Sequence, residues 1–198
     1  MPGAFNLEKQ LVFYGAYHSN KVNVRIHMVC VPIIMWTALV MISSFPTPSW
    51  MPDYTHVFND HLVFKLNWAS VLSVLYVAYY TVLFAPAALM YAPQQIFFVL
   101  TANSIAHDPK NIQLALYLHV AAWVAQFYGH GVHEGRAPAL LDNIVGALFL
   151  APFFVHLEML FEMGYFPRLH KTVQNGVGVE IAKFRKEKAA EERSKKEL

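Results

Sequence analysis

The sequence predicts an all-α integral membrane protein. We expect a helical bundle of about four transmembrane helices, an amphipathic N-terminal helix and a fifth apolar stretch that is re-entrant or interfacial. Of the 198 residues, 56% are hydrophobic and only 14% are charged, well below the roughly 25% charged residues of an average soluble protein. Nine of the fifteen Lys and Arg residues follow Gly164 and three precede Met28. Both ends are therefore basic around a long apolar middle.

The N-terminal segment is expected to be a short helix followed by a bend. Asn6 can cap this helix, and His18 continues its apolar stripe. In an unbroken helix His27 would lie on the opposite face, about 13.5 Å further along the axis. Ser19 and Asn20 favour local hydrogen bonds over helix. A bend at these two residues would let both histidines serve one site.

Four further segments have the composition of membrane spans, namely residues 28–45, 66–84, 87–106 and 112–130. The second and third are separated by so few residues around Pro86 that they must form a helical hairpin. A loop is expected between the first two spans, in residues 46–65. Gln94, Gln95 and Pro93 weaken the third span, although neighbouring helices can satisfy its backbone.

The fifth apolar stretch, residues 141–165, contains Pro152, His156, Glu158 and Glu162. Charged groups at mid-membrane depth cost several kcal/mol, so we expect that this stretch does not cross. Basic segments tend to stay in the cytoplasm, and an even number of crossings places both termini there. We divide the chain into a membrane-embedded domain, residues 1–168, and a charged cytoplasmic tail, residues 169–198.

The end of the fourth span carries the densest group of chemically active residues, in the sequence W-V-A-Q-F-Y-G-H-G-V-H-E, residues 123–134. If the helical period continues, His130 and Glu134 share a face, with His133 close beside them. Gly129 and Gly131 flank His130 and leave room for backbone or ligand to come close. A His and Glu pair at this spacing can supply a metal with two ligands, or with one ligand and a base.

Topology sorts the histidines by membrane face. On the cytoplasmic face lie His18, His27, His130, His133 and Glu134, on the other face lie His56, His61 and His107, and in the interior lie His119 and His156. Imidazole ligands without cysteine suit Fe, Zn, Cu or Ni. The alternative is a set of interfacial histidines that hydrogen-bond lipid headgroups. Arg25 and Arg136 could pair with a substrate carboxylate or with lipid phosphate. No motif indicates a nucleic-acid partner.

The chain resembles the 2-hydroxy fatty acid dioxygenase family of the endoplasmic reticulum over residues 7–168. The resemblance rests on four motifs in order, which are Y-G-A-Y-H-S-N (14–20), N-V-R-I-H (23–27), Q-F-Y-G-H-G-V-H-E (126–134) and P-A-L-L-D-N (138–143). It implies an Fe(II)-dependent enzyme that uses O₂ to remove one carbon from a long-chain 2-hydroxy fatty acid, a step in phytosphingosine breakdown.

The family's metal ligands carry over onto His18, His27 and His130, and its carboxylate onto Glu134. His133 stands where an aromatic residue is common in the family, so it is not expected to be a ligand. The C-terminal K-K-E-L resembles a dilysine retrieval signal, which agrees with an endoplasmic reticulum membrane location and a cytoplasmic tail. The alternatives are a non-catalytic lipid-binding or scaffolding membrane protein and a Zn-dependent lipid hydrolase. The pattern leaves the oligomeric state open.

Overall fold

The computed structural model describes residues 5–138 and 144–196, which are mainly helical, as predicted. The elements in chain order are α1 (Leu7–Ala16), α2 (Lys21–Ser43), β1 (Thr55–Asn59), β2 (Leu62–Lys65), α3 (Trp68–Ile105), α4 (Pro109–Tyr128), a π-helical turn (Gly129–Glu134), α5 (Ile144–Glu162) and α6 (Pro167–Lys196). Most of the P-A-L-L-D-N motif and the last two residues of K-K-E-L lie outside the described residues.

The predicted bend between the first two helices is confirmed. Asn6 caps α1 by accepting a hydrogen bond from the Lys9 backbone N–H at 3.0 Å. The helix ends at Ala16, and Asn20 then caps α2 by accepting from the Val22 N–H at 2.8 Å. Each cap satisfies a backbone donor that the helix itself leaves unpaired. Because of this break, the first turns of α2 lie close to the residues that follow the end of α1.

The predicted hairpin of the second and third spans is also confirmed, within α3. At Phe84 the backbone leaves helical geometry (φ −162°, ψ 88°), and the two halves then lie antiparallel. Asn67 Nδ2 donates to Asn103 Oδ1 at 2.8 Å near the ends of the hairpin. Closer to the bend, Gln95 Nε2 donates to Ser73 Oγ at 3.0 Å. Buried polar pairs of this kind fix the register between two apolar helices.

The count of four membrane crossings is not confirmed. By length and hydropathy, α2 and the hairpin α3 each contain a stretch that is apolar enough to cross a membrane, and the bent pair formed by residues 148–162 and 167–195 would be a third, with an angle of 116° between its halves. Helix α4 has 20 residues, but polar side chains such as His119 and Gln126 lower its mean hydropathy. It still runs antiparallel to α2, since His119 contacts Thr37 and His130 lies beside His27.

Residues 55–65 form a β-hairpin rather than a loop without secondary structure, which corrects the all-α prediction at this point. The strands pair antiparallel, with Thr55 opposite Lys65 and Val57 opposite Val63. Valine and phenylalanine side chains on both sides of Asn59 favour strands. The hairpin belongs to the end of the bundle that is remote from His18 and His130.

Helices α5 and α6 pack around the N-terminal helix. On α5, Phe153 and Leu157 are buried in the core. Gly164 and Phe166 then take positive φ values of 87° and 52° in the turn that leads to α6. Helix α6 lies so close to α1 that a Cβ atom on Gly15 would come within 2.6 Å of Val177. The part of α6 around Val177 is therefore docked on the bundle, and the division of the chain between residues 168 and 169 stays a prediction.

Candidate metal centre

Three buried histidines from separate parts of the chain face one another. His18 follows α1, His27 lies in the second turn of α2, and His130 lies in the π-helical turn. Their ring centroids are 4.5 Å apart for His18 and His27, 4.8 Å for His18 and His130, and 4.9 Å for His27 and His130. One nitrogen from each ring can lie within 4.8 Å of the others, so the group could hold a metal ion.

Backbone carbonyls orient two of the three rings. His18 Nδ1 lies 2.8 Å from the Tyr14 carbonyl oxygen, and His27 Nδ1 lies 2.9 Å from the Asn23 carbonyl oxygen. A carbonyl can only accept, so Nδ1 carries the proton in both rings and Nε2 keeps its lone pair. This outer hydrogen bond fixes the tautomer of a metal-binding histidine. Nε2 is therefore the nitrogen that each of these two rings can offer to a metal.

The third histidine depends on a close approach between α2 and the π-helical turn. A Cβ atom on Gly129 would lie 2.5 Å from Asn23 Oδ1 and 3.3 Å from Ile26 Cδ1, whereas a Cβ on Gly131 would meet nothing within 4 Å. A side chain of α2 therefore comes close at Gly129, whereas the space beside Gly131 is open. The α-helical period does not continue through this stretch, because residues 129–134 widen to π geometry. Turns of this kind are frequent at functional sites.

Glu134 ties the π-helical turn to the bend between α1 and α2. Its carboxylate accepts hydrogen bonds from the Ser19 N–H at 2.9 Å, the Ser19 hydroxyl at 2.5 Å, the Asn20 N–H at 3.0 Å and Asn23 Nδ2 at 3.1 Å. Burial raises the pKa of this carboxyl, but these four donors outweigh it and hold the pKa below its ordinary value. The ionised carboxylate thus joins the segments that carry His18, His27 and His130.

Electrostatics suit the histidines to a metal. Burial lowers the pKa of His18 well below its ordinary value, and the neighbouring His27 lowers it further. Burial also lowers the pKa of His130, although the Glu134 charge opposes this. Neutral imidazole is the form that binds metal. Moreover, His18 Nε2 and His130 Nδ1 are buried without a hydrogen-bond partner, a costly arrangement that a metal ion would relieve. The three residues therefore fit such an ion.

A cavity of about 260 Å³ opens from the three histidines into the bundle. Its apolar walls come from α2, α3, α4 and α5, with Val31, Ile34, Leu72, Phe127 and Leu148 among the lining residues. Such a cavity can hold a hydrocarbon chain whose polar end reaches the histidines. Gln126 also lines it, and this residue was not singled out from the sequence.

The other candidates from the sequence lie outside the group. His119 has both ring nitrogens engaged, with Thr37 Oγ1 at 2.8 Å and the Trp123 indole N–H at 3.0 Å, as expected of an interior residue. His107 is exposed beyond the far end of α4, and a helix of this length spans about 30 Å. His133 packs edge-on against Tyr128. Neither belongs to the group of possible ligands.

The two arginines considered for a substrate carboxylate do not line the cavity. Arg136 donates to the Ala16 carbonyl oxygen at 3.0 Å, and its guanidinium lies over the rings of Tyr17 and Phe184 at 3.6 and 4.2 Å. Arg25 is exposed on α2. Arg136 therefore fastens α6 to the end of α1 and stands apart from the histidines.

The fold and the site together define a helical membrane-type protein with a three-histidine centre at the end of an apolar cavity. The comparisons agree with this class, because the family model described as 2-hydroxy-palmitic acid dioxygenase Mpo1-like matches residues 4–163. The chain belongs to this family, which confirms the resemblance seen in its motifs. It is 33% identical to the 2-hydroxy-palmitic acid dioxygenase MPO1 of Saccharomyces cerevisiae over 184 residues, 92% of this chain and 96% of the yeast protein. No solved structure matches.

Proposed function

We propose that this protein is an Fe(II)-dependent dioxygenase that removes one carbon from long-chain 2-hydroxy fatty acids. The observation that carries this proposal is the buried trio of His18, His27 and His130 at the end of an apolar cavity. The family and the yeast relative support the same reaction class. We further propose that the protein acts in the endoplasmic reticulum membrane, with both termini and the metal centre at its cytoplasmic face.

The choice of iron follows from the reaction. Three imidazole nitrogens would also suit zinc, but zinc has no redox chemistry, and dioxygenases must pass electrons to O₂. Non-haem iron bound by histidines with open positions is a common solution. Iron bound by the trio would supply this electron transfer. The chain's own contribution is to hold three neutral rings in fixed tautomers and to keep water from the apolar cavity.

The substrate can supply all the electrons. Cleavage of a 2-hydroxy acid between C1 and C2 with one O₂ yields the acid shortened by one carbon, CO₂ and water, and the atoms balance without another reductant. The hydroxyl and carboxylate of the substrate form a chelating pair suited to a metal with open positions. In the proposed complex the hydrocarbon tail lies in the cavity and this polar head meets the histidines, which fixes the scissile bond near the metal.

Metal analysis and product analysis of the purified full-length chain test the proposal. The protein is purified without O₂, its metal content is measured, and it is then incubated with 2-hydroxyhexadecanoic acid in air. We expect one iron per chain and pentadecanoic acid as the product, with CO₂ released. Stoichiometric zinc with ester hydrolysis would favour the lipid hydrolase instead. Absence of bound metal together with lipid binding would favour a non-catalytic role.

A further inference from the structure

The starting observation is a buried donor that the three-histidine centre does not explain. Among the described residues, three side-chain atoms that line the cavity are buried without a hydrogen-bond partner, namely His18 Nε2, His130 Nδ1 and Gln126 Nε2. A metal ion held by the three histidines would account for the two histidine nitrogens. Gln126 is 6% exposed, and an unpaired amide donor at such a position destabilises the folded chain. Native proteins rarely keep one without a partner.

The place of Gln126 in the fold suggests what its partner is. It lies on α4 four residues before His130, about 6 Å along the helix axis. One turn further from the histidines, Trp123 lines the same cavity. Gln126 therefore stands where the polar end of the cavity meets its apolar walls. A ligand that spans this boundary would place its head group beside the Gln126 amide.

Three other polar side chains that line the cavity, His119, Trp123 and Tyr76, are already engaged. Both ring nitrogens of His119 are paired, and the Tyr76 hydroxyl donates to the Leu148 carbonyl oxygen at 3.3 Å. The described lining residues include no Lys or Arg. An anionic head group in this cavity would thus meet no cation other than a bound metal, and the unpaired Gln126 amide can donate to its remaining oxygen.

We propose that Gln126 Nε2 donates a hydrogen bond to the substrate carboxylate, at the oxygen that does not face the metal, and so selects 2-hydroxy acids over uncharged 1,2-diols. This inference rests on the proposed function. When a 2-hydroxy acid chelates a metal through its hydroxyl and one carboxylate oxygen, the second oxygen keeps negative charge inside an apolar cavity. A hydrogen bond to such a charged group is stronger than a neutral one, which makes this contact a determinant of specificity.

A binding experiment without turnover tests the role of Gln126. The iron-loaded full-length chain is held in detergent micelles without O₂, and its affinities for 2-hydroxyhexadecanoic acid and hexadecane-1,2-diol are compared. The two ligands share chain length and hydroxyl position and differ in the carboxylate. Gln126→Leu removes the donor, Gln126→Met does so with an unbranched side chain, and Gln113→Leu changes an exposed glutamine of the same helix.

We expect Gln126→Leu and Gln126→Met to weaken binding of the acid by about 10- to 100-fold and to change binding of the diol by less than about twofold. Retained diol binding also shows that the variant is folded. The inference is overturned if either variant binds the acid as tightly as wild type, or if acid and diol weaken equally. If the wild-type protein binds iron but not the acid, the proposed substrate fails, and the role of Gln126 fails with it.

Discussion

Replacing Gly129 with alanine should loosen the crossing of α2 and the π-helical turn that brings His27 and His130 together. The backbone of Gly129 is helical (φ −55°, ψ −47°), so alanine meets no conformational strain there. The obstacle is space, because the added Cβ would lie 2.5 Å from Asn23 Oδ1. Real Cβ atoms do not approach so closely, and one side must move.

The expected loss of stability follows from what holds Asn23 in place. Asn23 is fully buried, and its Nδ2 donates to the Glu134 carboxylate. Rotating the side chain away gives up a hydrogen bond to a charged group, worth about 1.5–3 kcal/mol, while parting the helices costs about 1–3 kcal/mol. The higher helix propensity of alanine relative to glycine offsets this loss by up to about 1 kcal/mol. We therefore expect Gly129→Ala to destabilise the folded chain by about 1–2 kcal/mol.

Gly131→Ala is the matched control two residues away. Its Cβ would meet nothing within 4 Å, so the substitution should be neutral or stabilise by about 0.4–1 kcal/mol through the unfolded chain. Thermal unfolding and iron content of both variants, in the same detergent as wild type, measure the difference. The reasoning is refuted if Gly129→Ala unfolds at the same temperature as Gly131→Ala and retains as much iron.

Three further predictions concern the site and its place in the membrane. His27→Ala should lower iron affinity by more than roughly 100-fold, the largest loss expected when a residue that only hydrogen-bonds a metal ligand is removed. His107→Ala, which changes an exposed residue, should keep its iron. Equal loss of iron in both variants would place the metal elsewhere. Glu134→Gln should lower iron affinity by about 10- to 100-fold, because the NH₂ group of the new glutamine would face N–H donors. The pKa of Glu134 is lower in the folded chain than its ordinary value, so the carboxylate stabilises the fold fully at pH values above that ordinary pKa. This stabilisation is lost as the pH falls through the lowered pKa of the folded chain. Cysteines introduced at Thr55 and Ser194 should be labelled from opposite sides of the membrane, and labelling of both from one side would contradict an even number of crossings.

Local chain signals were sufficient to predict the path of the backbone near the site. Asn6 was predicted to cap the first helix, because its side chain can satisfy a backbone donor, and Ser19 and Asn20 were predicted to bend the chain where α2 begins. The bend between His18 and His27 followed from the need to unite two faces of a helix. The short connection around Pro86 left no alternative to a hairpin. Each of these conclusions depends on residues that are close in sequence.

The contacts that complete the site depend on residues far apart in sequence, and these were missed. Glu134 lies 115 residues from Ser19. No residue near Glu134 in the sequence indicates that its carboxylate oxygens accept hydrogen bonds from the bend between α1 and α2. Asn23 was noted only as the first residue of a motif, although it contacts Gly129 and orients His27 through its carbonyl. From the sequence, Gln126 looks like an ordinary polar residue of a helix, and only the structure shows that it lines the cavity.

The contact between α1 and α6 has a consequence for biosynthesis. His18 and His27 leave the ribosome early, but α1 docks on α6, where Gly15 meets Val177. That surface is made only when most of the chain has been translated. Loading of the proposed metal should therefore be a late event of maturation, and nascent chains stalled before residue 177 should have an incomplete site that binds metal weakly.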